Sequence, residues 1–160
     1  MSSREISVKK LKNKVWFKLF SIFKLPLAFI TYLSINEITN EVCETKVKFN
    51  YINKNPFKST YFASLSMAAE LATGILATHH IQLSEKKIVF IITSLKAEFH
   101  KKAIGTTTFN CNQGKEIKEL ITQLSIDEPK NKLPIQVNGY NEQKEIVCEF
   151  TFDWSFKLKT

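Results

Sequence analysis

The chain has 160 residues, 44% of them hydrophobic and 24% charged, with only four glycines and four prolines. That suits one globular domain with a real core and excludes a disordered or linker-rich chain. The net charge is +8, but all of its basic residues except Arg4 are lysines. Arginine is the usual bidentate reader of bases and phosphates, so no nucleic-acid partner is expected.

Three cysteines, Cys43, Cys111 and Cys148, are far apart and odd in number, with no Cys-x-x-Cys pair. Neither a disulfide framework nor a zinc site follows; reduced thiols in a cytoplasm are the simplest expectation. No cofactor motif of the Gly-x-Gly-x-x-Gly or Walker type is present, and no Gly-x-Ser-x-Gly elbow.

Lysines 9, 10, 12 and 14 precede an apolar stretch, as in a targeting signal, but Lys18 and Lys24 interrupt it and no small-residue cleavage site follows. Its longest uncharged run, Leu25–Asn36, is shorter than the roughly 20 residues a membrane helix needs. Neither a cleaved signal nor a transmembrane helix is expected. Val8, Leu11, Val15, Leu19, Ile22 and Phe23 recur at three- and four-residue spacing. This predicts an amphipathic helix that ends at the Leu25-Pro26 bond, with a further apolar turn or two over Leu27–Leu33. Residues 1–34 thus form an N-terminal segment, set apart from a domain over 35–160. Its apolar side is expected to pack on that domain. A basic membrane-surface helix over residues 8–33, with Trp16, Phe17, Phe20 and Phe23 as anchors, is compatible with this.

Alternation predicts one strand over Ile38–Ile52, with a slip near Cys43–Thr45, closed by Asn53-Lys54-Asn55-Pro56. Ser59 or Thr60 is the expected N-cap of the next element. Tyr61–Thr78 has no polar face, which predicts a helix buried on all sides. Gly74 inside it suggests a close backbone approach, and His79-His80 are expected to end it, capping it or exposed. Strands follow over Ile88–Phe99 and Ile104–Asn112, then a helix over Gly114–Leu124 and a loop over Asp127–Pro134. Strands over Leu133–Tyr140 and Ile146–Leu158 complete the order, which is α+β with a curved antiparallel sheet around a central helix.

One charge, Glu70, interrupts the buried helix. A buried lone carboxylate costs several kcal/mol or takes up a proton. Its helix neighbours Ser66, Met67, Thr73 and Gly74 carry no positive charge. It must therefore face a cavity, find a distant partner, or sit at a subunit interface. A pocket would raise its pKa toward that of a general base; a structural Glu bonded to backbone or paired with lysine is the other reading.

Asn55-Pro56-Phe57, Tyr61-Phe62-Ala63 and Ala68-Ala69-Glu70-Leu71 with Gly74 resemble the hotdog fold of acyl-CoA thioesterases and related dehydratases. More closely, they resemble an uncharacterised thioesterase-like branch of it, a domain of unknown function. The resemblance covers roughly residues 35–157. It implies a thioester hydrolase acting on an acyl-CoA or acyl-carrier substrate, with coenzyme A as part of the substrate and no other cofactor or metal. It also implies a homodimer or higher oligomer with the site between subunits. Glu70 matches the helix carboxylate that attacks or activates water, Asn55 the polar residue before the helix, and the amides of Thr60 and Tyr61 the oxyanion donors. Lys96, Lys101 and Lys102 could meet coenzyme A phosphates, or form a solvated lysine turn. Where better-known relatives carry His-Gly-Gly, this chain has Lys58-Ser59-Thr60. A non-catalytic acyl- or lipid-binding protein is therefore the alternative.

Overall fold

The computed structural model describes residues 8–11 and 13–159, and all their side chains except those of Lys9 and Lys14. Of the N-terminal segment, residues 1–7 and Lys12 lie outside the described residues. Three short helices come first: α1 (Val8–Leu11), α2 (Lys14–Lys24) and α3 (Pro26–Ile30). Asn13 caps α2, its Oδ1 accepting from the Val15 and Trp16 amides. Pro26 stops α2 and starts α3, because its ring fits the first turn of a helix but not the interior.

Six strands form one antiparallel sheet in the order β1-β2-β4-β5-β6-β3. They are β1 (Ser34–Ile38), β2 (Cys43–Lys48), β3 (Ile88–Phe99), β4 (Thr106–Cys111), β5 (Lys130–Tyr140) and β6 (Ile146–Leu158). The long helix α4 (Phe62–Ser84) packs across β2, β4, β5 and β6, and α5 (Gly114–Gln123) packs beside α4. The expected sheet around a central helix is present. Its core is aromatic: Phe109, Phe150, Phe152 and Phe156 are fully buried. These rings come from β4 and β6 because alternation places every second residue on the inner face.

Several details differ from the sequence expectations. The strand expected over Ile38–Ile52 is shorter: only Cys43–Lys48 of it forms β2, and Ile38 ends the preceding strand β1, which pairs Ile38 with Cys43 and Ser34 with Lys46. The chain reverses between them over residues 39–42, where the Thr39 hydroxyl accepts from the amides of Glu41 and Val42, while Cys43–Thr45, where a slip was expected, alternates regularly inside β2. The N-cap of α4 is Tyr61, not Ser59 or Thr60, which are buried in the preceding loop. The helix also runs past His79 and His80, which are buried rather than exposed or capping. Both reach Asn40 in the β1–β2 turn: His79 Nε2 lies 2.9 Å from Asn40 Oδ1, and His80 Nε2 lies 2.8 Å from its carbonyl oxygen. Satisfied in this way, two histidines can stay inside a helix–sheet contact. β5 starts at Lys130, inside the stretch expected as a loop.

Gly74 does not meet a backbone. A Cβ there would lie 3.1 Å from Glu70 Oε1 and 3.6 Å from the Trp154 ring. The close backbone approach is at Gly114, where a Cβ would stand 2.1 Å from the Asn40 carbonyl oxygen.

Candidate active site

α4 is not buried on all sides. Ser64, Leu65, Ala68, Leu71, Ala72, Ile75 and Leu76 are buried, while Ala63, Ser66, Met67, Glu70, Gly74 and Thr78 are only half-buried. These six recur at three- and four-residue spacing, so they line one side of the helix. Glu70 sits at the middle of that side. The sequence shows no polar face because the side is made of small residues.

Glu70 opens on a cavity of about 920 Å³. One wall is α4, through Leu71, Ile75 and Ile81; another is β3, through Ile88 and Phe90. The N-terminal helices close it with Val8, Leu11, Phe20 and Leu25. The Val8 amide donates to Gln82 Oε1 at 3.1 Å, which ties α1 to α4. Size and apolar walls with a few polar groups match a small-molecule site.

Among the described residues, no hydrogen bond or ion pair reaches the Glu70 carboxylate. Lysines 24, 86, 87 and 159 line the same cavity, but none lies within ion-pair distance of Glu70. Lys86 is otherwise engaged. Its Nζ donates to the carbonyls of Ile121, Thr122 and Leu124 at 2.8–2.9 Å, where it caps the end of α5. Burial alone therefore holds the Glu70 pKa above its ordinary 4.5. A carboxylate of this kind is a better proton acceptor than a solvated one.

Trp154 supports the same turn of α4. Its Nε1 donates to Thr73 Oγ1 at 3.1 Å, and Thr73 Oγ1 donates to the Glu70 carbonyl at 2.9 Å. Trp154 lies within the strand expected over Ile146–Leu158. The signal for its contact was the glycine one turn after Glu70, which leaves room for ring and carboxylate together.

Asn55, Thr60 and Tyr61 lie together at the N-terminus of α4. Asn55 spends its side chain on its own loop: Oδ1 accepts from the Phe57 and Ser59 amides at 3.0 and 3.2 Å, and Nδ2 donates to Ser59 Oγ at 3.1 Å. The amides of Thr60 and Tyr61 are also engaged. They donate to the carbonyls of Ala103 (2.8 Å) and Asn53 (2.7 Å), so neither is open to a ligand. The cause is the later helix start. With Tyr61 as N-cap, the unbonded amides of the first turn are those of Phe62 and Ala63. Glu70 lies eight residues further along, about 12 Å at 1.5 Å per residue.

Lys96 pairs with Glu98 at 2.8 Å and Lys101 with Glu145 at 2.6 Å, all on the exposed surface. Lys102 is exposed beside Ala103, whose carbonyl holds the Thr60 amide. Only the Lys101–Ala103 turn therefore adjoins the α4 N-terminus. The sheet also brings together Glu98, His100 and Glu149, with ligand-type atoms within 4.8 Å of one another. No local spacing could show this, because Glu98 and Glu149 are cross-strand partners. Here His100 pairs with Glu149 at 2.9 Å and Glu98 with Lys96, on a solvated surface.

All three cysteines are free and buried. Burial pushes the thiols up, Cys111 to about 11 and Cys148 to about 12, so they are not nucleophiles at neutral pH. No helix among the described residues is long and apolar enough to cross a membrane.

A family profile for "Domain of unknown function (DUF4442)" matches residues 13–156. Among curated proteins, none matches the sequence significantly. Solved structures share the fold. One is a Pseudomonas aeruginosa protein whose printed name adds "Probable Thioesterase". It superposes with a TM-score of 0.78 at 18% identity, over 89% of this chain and 93% of its own. A Haemophilus influenzae thioesterase gives a TM-score of 0.63 at 11% identity, over 88% of each chain. The Escherichia coli PaaI protein of the phenylacetic acid degradation operon gives 0.60 at 12% identity, over 97% of each. At such identities the likeness concerns the fold alone, which is the hotdog fold. The chain belongs to the DUF4442 family, the domain of unknown function whose profile spans most of its length.

Proposed function

We propose that the protein hydrolyses an acyl thioester, carried by coenzyme A or an acyl-carrier, with Glu70 as general base. The observation that carries this is a carboxylate without a partner among the described residues, raised in pKa by burial, facing an apolar cavity of about 920 Å³. The acyl chain would lie along Leu71, Ile75, Phe90, Phe20 and Leu25, with the thioester carbonyl at Glu70. Glu70 would take a proton from water as the water oxygen bonds to the carbonyl carbon. The C–S bond would then break, and the departing thiolate would receive the proton. The products are a carboxylic acid and a thiol. Direct attack by the carboxylate, through an anhydride that water then opens, uses the same residue.

The oxyanion needs donors within about 3 Å. The unbonded Phe62 and Ala63 amides are about 12 Å from Glu70 along the same helix, too far to serve the same carbonyl. A second copy would solve this by placing its α4 N-terminus against the first copy's Glu70. The edge strand β3 supports a homodimer or higher oligomer. It is twelve residues long and exposes Val89, Ile91, Leu95 and Phe99. Long apolar edges of this kind pair with another strand. Asn55 would act by holding the loop that presents the helix end. Lys102, and Lys96 and Lys101 if their acidic partners release them, could meet coenzyme A phosphates. Buried free thiols suit a reducing compartment such as the cytoplasm.

A second reading is an acyl-binding protein without turnover. It is favoured by Lys58-Ser59-Thr60 in place of His-Gly-Gly and by the engaged amides of Thr60 and Tyr61. Incubating the protein with acyl-CoAs and titrating released thiol separates the two. Turnover supports the first, and stoichiometric binding without thiol release supports the second.

A further inference from the structure

Helix α2 carries two apolar faces, and only one is used. Phe17 and Ser21 are buried against the domain, and Phe20 and Lys24 reach the cavity. On the opposite side Val15, Trp16, Leu19, Ile22 and Phe23 are exposed, Phe23 by 79%. At 100° per residue these five fall within an arc of about 120°, the width of a helix face meant for an apolar surface. The exposed run continues through α3 and its C-terminal turn with Leu27, Phe29, Ile30 and Tyr32. A tryptophan and a tyrosine lie among these aliphatic and phenyl groups, as at a membrane–water interface.

The charge of the segment decides between occupants. Between Glu5 and Glu37 the sequence has Lys9, Lys10, Lys12, Lys14, Lys18 and Lys24 and no acidic residue. A second copy docked face to face would bring together two segments of the same sign. An anionic surface would be attracted by the same charge. The strand edge offered to a second copy in the proposed dimer, β3, is another part of the molecule.

We infer that the outer face of α2 and α3 docks on an anionic lipid bilayer. Its apolar side chains enter the headgroup boundary, and the exposed Lys10 and Lys18 meet the lipid phosphates. The inner face of the same helices walls the Glu70 cavity, so docking sets that cavity against the membrane surface.

The test is cosedimentation of the full chain with vesicles of phosphatidylcholine alone and of phosphatidylcholine mixed equally with phosphatidylglycerol. Trp16→Ser/Phe23→Ser and Lys10→Glu/Lys18→Glu are run beside it. All four positions are exposed, so both variants should fold, which circular dichroism checks. Wild type should bind the mixed vesicles, more weakly at high salt, and bind phosphatidylcholine poorly. Each double variant should lose more than tenfold in affinity. Absence of wild-type binding to the mixed vesicles would overturn the inference, as would binding that neither variant weakens. A fall in oligomer size for Trp16→Ser/Phe23→Ser, without vesicle binding by wild type, would assign the face to a protein interface instead.

Discussion

Glu70 Oε1 occupies the space that a side chain at position 74 would need: a Cβ on Gly74 would come within 3.1 Å of it. The two residues are one turn apart, so the missing side chain of one sets the position of the other's carboxylate. Trp154 closes the same space, 3.6 Å from that Cβ position.

Gly74→Ala should therefore separate stability from activity. Alanine favours the helix by about 1 kcal/mol, which offsets the crowding. Thermal unfolding should move little. The displaced carboxylate should lower kcat about tenfold, because small misplacements of a catalytic group are costly. Equal losses of stability and activity would show that Gly74 matters only for packing.

The helix start yields a second test. Phe62 is the first residue of α4, and Tyr61 before it has φ −64° and ψ 137°, an extended geometry that a following proline accepts. Phe62→Pro should fold normally and lack one unbonded amide. Loss of an oxyanion donor lowers kcat by about 10²–10³. If donor and base belong to different copies, mixing Phe62→Pro with Glu70→Gln should restore part of the activity. No recovery from exchanged subunits would place both groups in one copy.

The edge of β3 makes a third. A lysine at Ile91, exposed by 67%, should block strand pairing between copies. Light scattering should show Ile91→Lys as a monomer, and hydrolysis should fall with it. An unchanged oligomer would remove β3 from the interface.

Stability should depend on pH through Glu70. Its folded pKa lies above 4.5 because burial disfavours the charge. Ionisation thus favours the unfolded chain, where the carboxylate is solvated. The penalty is absent below the unfolded pKa and complete above the folded one. Glu70→Gln should match wild type in acid, below about pH 4, and exceed it in stability as pH rises. A constant difference in melting temperature would mean that Glu70 is not desolvated.

Much of this was legible in the residues. β3 and β6 were readable to their ends, because both are long runs rich in apolar residues bounded by polar turns. Glu70 stood out as the single charge in an apolar helix. The β1–β2 reversal was hidden because Thr39 makes the turn without glycine or proline. The end of α4 was hidden because His79 and His80 look like a polar stop until Asn40, about forty residues away, satisfies them. The free amides at the start of α4 were misplaced for a local reason. Moving the N-cap from Thr60 to Tyr61 changes which amides are free, and boundaries are uncertain by a residue or two. The cavity was not legible in detail, since its walls come from α1, α2, α4 and β3 together.

The most direct measurement is hydrolysis of a panel of acyl-CoAs, short, long and aromatic, by wild type and Glu70→Gln. The substitution keeps the size of the side chain and removes its charge. The account predicts turnover by wild type, rising with pH through one ionisation above 4.5. It predicts a loss of about 10²-fold or more in a variant that is still folded. Turnover that survives Glu70→Gln would contradict it, and so would a wild type that binds the acyl-CoAs but releases no thiol.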